Sequence, residues 1–381
     1  MISRMESSVA AVAGGVGGAL VLLGVILLVC FCMFHYKRYS NRNSDTASSD
    51  PSAVVEQKRE GGSSGSSQST TPRLFRMKEL EHATRHFDEA NLIGYGSFGL
   101  VFKGLLYDGT IVAIKRRSGS PRPEFSDEVA HLPMVQHRNV VNVLGYCQEN
   151  GYQMLVFEYL PNGSVCSHLY GRDSTTKLEF KQRLSIATGA AKGLCHLHAQ
   201  RPPVIHGNFN TANVLVDENF IAKVADAGVS RLLEKIDDDA GPSESSSSRA
   251  TVFRDPEVDR NGEGSDVYSF GVFLWELITG REASHIDGFG SNESMLHWVE
   301  VHLNEEDLVD DRLKGGFTAE GMGDFIRLAL RCTGFPRKDR PAMEAAVAEL
   351  ERILDKEIMR TTVMGGEGTA TVTLGSQLFT K

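Results

Sequence analysis

From Val9 to Phe34 the chain runs without a charged residue, and Lys37, Arg38 and Arg42 follow close behind. At about 1.5 Å per residue such a run outreaches the roughly 30 Å hydrocarbon core of a bilayer. The pattern predicts one membrane-spanning helix over 9–34, preceded by a short segment, 1–8, too small to be an ectodomain. A cleaved signal peptide is the rival reading, but its apolar stretch is shorter and its positive charge comes first. Positive charge behind the run puts the N-terminus outside and the rest of the chain on the cytoplasmic side. Over 35–72 the pattern gives way to Ser, Gly, Thr and charged residues around G-G-S-S-G-S-S. That composition offers too little apolar surface to offset the entropy of ordering it, and it reads as a flexible juxtamembrane linker.

Periodicity returns at Phe75. F-R-M-K-E-L-E-H-A-T-R-H-F sets Leu80, Ala83 and Phe87 on one helical face. Leu92 to Lys115 alternates as strand, glycine turn, strand, Asp108-Gly109 turn and strand. Glu124 to Val135 has a helical pattern, Gln153 to Tyr159 is an apolar strand, and Leu178 to His198 is a longer helix. A run of helices follows and ends near Leu354, where Val347, Leu350 and Leu354 keep register. The Thr- and Gly-rich tail, 356–381, is expected to be disordered. Strands first and helices afterwards predict an α+β domain over 73–355.

Charge narrows the partners. A formal net charge of -9 over 381 residues argues against a nucleic-acid binder, which needs a basic face. Six cysteines without a C-x-x-C pair show neither a metal site nor a disulfide framework, as suits a reducing compartment. Cys30 and Cys32 at the inner membrane edge are either palmitoylation candidates or plain apolar span residues. Gly14 and Gly18 form G-x-x-x-G, a pattern that lets two helices approach and so allows a homodimer contact in the span, although in a run so rich in Gly the match is cheap.

The candidate chemistry is a series of short motifs. Gly94, Gly96 and Gly99 stand in G-Y-G-S-F-G-L-V with strand-forming residues on both sides, which suits a flap over phosphates; a dinucleotide site would put a helix there. Lys115 ends V-A-I-K, and Glu128 lies in E-F-S-D-E-V. Further on come V-I-H-G-N-F-N-T-A-N-V-L-V at 204–216, D-A-G from Asp226, A-T-V-F-R-D-P-E at 250–257, S-D-V-Y-S-F-G and R-K-D-R-P. In this order, and with the segment from Phe75, they resemble the plant receptor-like kinase (RLK/Pelle) family from Phe75 to about Leu354.

The resemblance implies a bilobal protein-kinase-like fold, with a β-rich N-lobe over about 75–160 and a helical C-lobe over about 161–355. It implies an ATP site roofed by Ile93, Gly94, Tyr95, Gly96, Ser97, Phe98, Gly99, Leu100 and Val101. Ala113 and Leu215 would enclose the adenine, Phe157 would be the gatekeeper, and Glu158 to Leu160 the hinge. Lys115 would contact phosphates, Glu128 would orient that lysine, and Asn213 and Asp226 would hold Mg²⁺. In relatives Glu257 and Arg340 would form a buried ion pair.

The chemistry departs from the pattern while the scaffold keeps it. Beside His206, Gly207 replaces the loop arginine, Asn208 the base aspartate, and Asn210 the usual lysine. Ala227 replaces the phenylalanine of D-F-G, and the substrate stretch is one residue short, with Asp255 for alanine. Three readings stay open: a membrane-anchored, ATP-binding pseudokinase that serves as scaffold or substrate of active receptor kinases, a low-turnover Ser/Thr kinase, and an interaction module that binds no nucleotide. The serines at 245–248 read as a solvated loop, with modification by another kinase as the alternative.

Overall fold

A computed structural model describes residues 72–120, 122–132, 136–170, 178–236, 252–257, 262–286, 288–289, 292–304 and 307–363. All lie within one unit, Ser67–Lys381. The span, its glycine pair, Cys30 and Cys32, the linker and the serines at 245–248 lie outside the described residues; among those described, no helix is long and apolar enough to cross a membrane.

Strand β1 (Arg73–Leu74) leads into helix α1 (Met77–Ala83). Phe75, Met77, Leu80 and Ala83 are buried, and they share a core with Leu106, Val112, Ile114, Cys147, Met154 and Val156. The periodic segment ahead of the glycine motif is therefore part of the N-lobe. Thr84 ends α1: its hydroxyl donates to the Leu80 carbonyl at 2.7 Å and accepts from the Phe87 N–H at 3.0 Å. Arg85, His86 and Phe87 then turn at φ of 52°, 60° and 56°.

Strands β2 (Leu92–Gly96), β3 (Gly99–Leu105) and β4 (Ile111–Ser118) follow, then helix α2 (Pro123–His131), with proline in the first turn where a missing N–H costs nothing. β5 (Val143–Glu149) and β6 (Tyr152–Glu158) complete a six-stranded sheet in the order β1-β5-β6-β4-β3-β2. All pairings are antiparallel except β1 with β5. The β3–β4 turn is tied by the Thr110 N–H on Asp108 Oδ1 at 2.9 Å, with Gly109 at φ 86°, as the Asp-Gly pair predicts.

The C-lobe holds α3 (Val165–Tyr170), α4 (Phe180–His198), the two-stranded sheet of β7 (Val214–Val216) and β8 (Ala222–Val224), α5 (Val229–Ile236), α6 (Glu263–Thr279), α7 (Asn292–Asn304), α8 (Ala319–Cys332) and α9 (Met343–Val363). Glu179 and Gln182 form a reciprocal capping box that starts α4. α6 is buried from Ser265 to Thr279 and stops at Gly280, whose φ of 63° suits a residue without Cβ.

The boundary expected at residue 355 is corrected: α9 continues to Val363. Glu357 is fully buried and accepts the Thr318 N–H at 3.2 Å, anchoring α9 to the start of α8. Lys356 adds a 2.9 Å ion pair to Glu320. The Thr- and Gly-rich composition of the tail hides that anchor, which comes from a distant element.

Candidate functional site

The loop between α4 and β7 is built on one buried carboxylate. Asp266, 1% exposed, accepts the backbone N–H groups of His206 at 2.8 Å and Gly207 at 2.9 Å, and lies 2.9 Å from His198 Nε2. The Asn208 N–H points to His206 Nδ1 at 3.3 Å, so the proton sits on Nε2, which donates to the Ala225 carbonyl at 2.8 Å. Asn213 and Asn210 both turn their amide nitrogens onto the Asn208 carbonyl, at 2.8 and 3.0 Å. Asn210 Oδ1 accepts the Ala212 N–H at 2.9 Å and starts the short helical turn Thr211–Asn213. The loop is well bonded. At its centre, the half-buried Asn208 presents an amide.

Lys115 and Asp226 meet directly. Lys115 Nζ donates to both carboxylate oxygens, at 2.5 Å to Oδ2. Asp226 is 4% exposed and sits at φ 64°, a left-handed conformation that a non-glycine residue adopts at some cost. Glu128, expected to orient Lys115, does not reach it: its carboxylate pairs with Lys235 and lies 3.6 Å from Arg231, both on α5. The reason is apolar packing. Val229, Leu232 and Ile236 of α5 share a buried cluster with Phe125 and Val129 of α2 and with Phe98 from the glycine turn. Arg122 Nη1 also donates to the Ile236 carbonyl at 2.9 Å, closing the end of α5 onto the start of α2.

The glycine turn follows the same packing. Ile93 and Tyr95 are exposed, whereas Phe98 is 2% exposed with its ring 6.3 Å from that of Phe125. Gly94 and Gly96 pair with Val101 and Gly99 across β2 and β3, Leu100 pairs with Tyr95, and Ser97 lies at the exposed tip. Gly99, at φ 140°, would place a Cβ 2.3 Å from the Arg116 carbonyl oxygen, so no other residue fits. Ala113 and Leu215 pack against the cluster that contains Phe157 and Leu160. Glu158 pairs with Lys223 at 2.8 Å and accepts the Asn142 N–H at 2.8 Å. Asn213 stands next to Asp226 in space, because the Ala225 N–H donates to the Asn213 carbonyl at 2.8 Å. One carboxylate and one amide oxygen are hard donors that fit Mg²⁺ if water and phosphate complete the octahedron. Both Asp226 oxygens already accept from Lys115, so a metal would have to share the carboxylate with that ammonium. A cavity of about 980 Å³ opens on the catalytic-loop side of α5, lined by Ser97, Glu128, Gly207, Asn208, Ser230 and Arg231 among others.

A family profile described as protein tyrosine and serine/threonine kinase matches residues 87–350. The chain belongs to that family. Its kinase domain is of the plant receptor-like type: it is 34% identical to the receptor-like protein kinase ANXUR2 of Arabidopsis thaliana over 368 residues, 89% of this chain and 42% of that protein. It is 38% identical to the proline-rich receptor-like protein kinase PERK2 of Arabidopsis thaliana, over 73% of this chain and 40% of that one. The chain spans 34% to 61% of the length of the first curated relatives it matches. Among solved structures, the pseudokinase domain of BIR2, an immune regulator of the RLK/Pelle family, aligns with a TM-score of 0.61 at 30% identity, over 74% of this chain and 87% of that one. The bilobal protein-kinase fold, with a β-sheet N-lobe and a helical C-lobe, is thus shared with receptor-like kinases.

Within this kinase domain the expected Glu257–Arg340 pair is present at 3.1 Å, but the arginine is shared with a second, more deeply buried acid. Arg340 binds Asp255 through both oxygens, at 2.6 and 3.0 Å, and these two side chains are 1% and 2% exposed. Glu257 stands at 3.1 Å with 36% of its side chain exposed. Asp255, read from the sequence only as a lost alanine, takes the buried position. The sequence reading also missed α5, although Val229, Leu232, Leu233 and Ile236 carry a helical period. Its lysine and arginine, the groups that hold Glu128, were missed with it.

Proposed function

We propose that this kinase domain belongs to a membrane-anchored receptor-like pseudokinase: it binds ATP, does not transfer phosphate at a useful rate, and acts as a scaffold or substrate of active receptor-like kinases. The observation that carries the reading is Asn208 at the base position, in a loop that Asp266, His206 and Asn213 hold by hydrogen bonds. An amide does not accept a proton near neutral pH, and a general base contributes about 10² to 10⁴-fold. Asn210 brings no positive charge to the transferring group, where electrostatic stabilisation is a large term. Lys115 and Glu128 each hold another partner, so the resting domain lacks the lysine–glutamate pair that positions phosphates.

ATP is supported as ligand by the glycine turn, by Lys115, and by the apolar walls at Ala113, Leu215 and Leu160. Asn213 and Asp226 would hold Mg²⁺, which supplies charge neutralisation at the phosphates. Anchoring rests on the uncharged run over 9–34 and on the receptor-like kinases among the relatives. The Gly14 and Gly18 pattern in that run supports a homodimer contact. The Lys115–Asp226 ion pair favours a second reading, a domain that binds partners and no nucleotide.

The test is ATP binding by residues 73–363, with and without Mg²⁺, beside phosphate incorporation in wild type and Lys115→Met. Binding without incorporation is expected. Incorporation that vanishes in Lys115→Met overturns the pseudokinase reading, and no binding at all selects the second one.

A further inference from the structure

The acids that line the cavity beside the catalytic loop are nearly all spent. Asp255 is held by Arg340 through both oxygens, and Asp266 by the backbone N–H groups of His206 and Gly207 together with His198. Glu128 is shared by Lys235 and Arg231. Among the described residues, that leaves Glu234 as the one acid of the lining without a partner. The cations are not spent. Arg201 and Arg254, both exposed, line the same cavity and make no ion pair with a described residue. Arg231 is 59% exposed and stands 3.6 Å from an acid that Lys235 already holds. In a chain of net charge -9, this recess is locally positive. Its volume of about 980 Å³ is at the upper end for a ligand site, room for a short stretch of extended peptide.

Asn208 belongs to that lining. Its Oδ1 faces the Asn210 amide nitrogen at 3.4 Å, and no described residue accepts from its Nδ2. An aspartate at this position would offer only acceptors and repel an anion; the amide offers two donor hydrogens. We propose that this former substrate platform is a reader of phosphorylated segments on a partner protein, with Asn208 Nδ2 donating to the phosphate and Arg201 and Arg254 pairing with the phosphate and the acids beside it. A phosphothreonine or phosphoserine carries about -1.5 to -2 charges and three acceptor oxygens, and the arginine fork matches such a group. The exchange of carboxylate for amide that removes the base thus supplies a donor for what an active kinase leaves behind. The proposal deepens the pseudokinase reading and rests on it; it does not need ATP.

The test uses the phosphatase-treated full chain in detergent micelles and a short fluorescent peptide of glycine, alanine and glutamate with one central phosphothreonine. One twin carries threonine at that position and another glutamate. Fluorescence anisotropy should show the phosphorylated peptide binding at least about tenfold more tightly than the threonine twin, with the glutamate twin between them. Arg201→Glu with Arg254→Glu, both at exposed positions, should weaken that binding by at least about tenfold, and so should Asn208→Asp. Arg201→Lys with Arg254→Lys should recover part of the loss, and Lys78→Glu, on α1 and outside the lining, should bind as wild type. The urea midpoint of each variant checks that it is folded. Equal binding of the phosphorylated and threonine peptides overturns the reader, as does phosphopeptide binding that survives both Arg201→Glu with Arg254→Glu and Asn208→Asp. A parallel mixture offers the threonine twin ATP and Mg²⁺. No phosphopeptide binding and no transfer overturns the reader alone and leaves the pseudokinase reading standing; transfer into the twin overturns both.

Discussion

Replacing Asp255 by alanine, the residue usual in the family, should be among the most damaging single changes in the C-lobe. The Arg340 side chain is 1% exposed and spends two of its donors on Asp255; others go to the carbonyls of Gly334 at 2.7 Å and Gly264 at 2.9 Å. The guanidinium also lies 5.0 Å from the Tyr268 ring centre and 5.5 Å from that of Phe335, in surroundings that are largely apolar. Breaking one side of a buried pair leaves an uncompensated charge and costs about 3–5 kcal/mol. Glu257, still at 3.1 Å, offsets part of that, so about 3 kcal/mol is expected.

Glu257→Ala should cost less. It removes a pair that is a third exposed on its acid side, worth about 0–1 kcal/mol. It also leaves the Arg337 N–H without its 2.5 Å acceptor, a loss of about 1 kcal/mol. Urea unfolding of the two variants measures the difference, with an unchanged slope showing that the unfolded states are comparable. The midpoint should fall further for Asp255→Ala. An equal or larger fall for Glu257→Ala would show that the buried pair carries less than its geometry implies. The double variant Asp255→Leu, Arg340→Met should recover part of the loss, since an apolar pair of similar volume removes the stranded charge.

Leu80→Ala, in a fully buried position ahead of the family match, should cost about 2–5 kcal/mol in the same urea assay; no effect would mean that α1 is not part of the cooperative domain. Asp310 is buried, which alone would raise its carboxyl, but hydrogen bonds from Arg312 and Arg183 outweigh burial and hold it below the ordinary 3.8. Its stabilisation is therefore complete above that value and lost as pH falls through the folded one, and Asp310→Asn should flatten this acid limb of a pH–stability curve while weakening the fold at neutral pH. Asn208→Asp restores a base but leaves Glu128 with Lys235 and Lys115 with Asp226, so phosphate incorporation should rise by less than about tenfold out of the 10² to 10⁴ a base can give; a fully active variant would refute the role given to those two pairings.

What was legible in the sequence is what neighbours in the chain decide. The glycine turn, the Asp108–Gly109 hairpin and the helices at Pro123–His131 and Phe180–His198 follow from local period and turn chemistry. The order of motifs marks Lys115, Asn208, Asn213 and Asp226 as one group; in the fold Lys115 meets Asp226, and Asn213 bonds to the Asn208 carbonyl. Partner choice was not legible. Spacing puts Glu128 on a helix but does not say which way that helix leans, and the deciding contacts come from Leu232, Ile236 and Lys235, far along the chain. Asp255 is the same case: its local reading is a missing alanine, while its energy comes from Arg340.

The departures from the family pattern therefore differ in what reversal would do. Among the described residues Asn208 is bonded within its own loop, to His206, Asn210 and Asn213, so an aspartate there perturbs local chemistry and little else. Gly207 and Asp255 are bound into packing: a side chain at 207 meets Ser230, and an alanine at 255 strands Arg340. Ala227 lines a void of about 10 Å³ beside Leu132, Val140, Val141 and Phe157, too narrow for an aromatic ring unless α2 moves. Reversals at 207 and 227 both act on how α2 and α5 sit, and changes that share partners do not add. Single reversions thus test the chemistry of Asn208 cleanly, whereas positions 207 and 227 have to be changed together and measured against each alone.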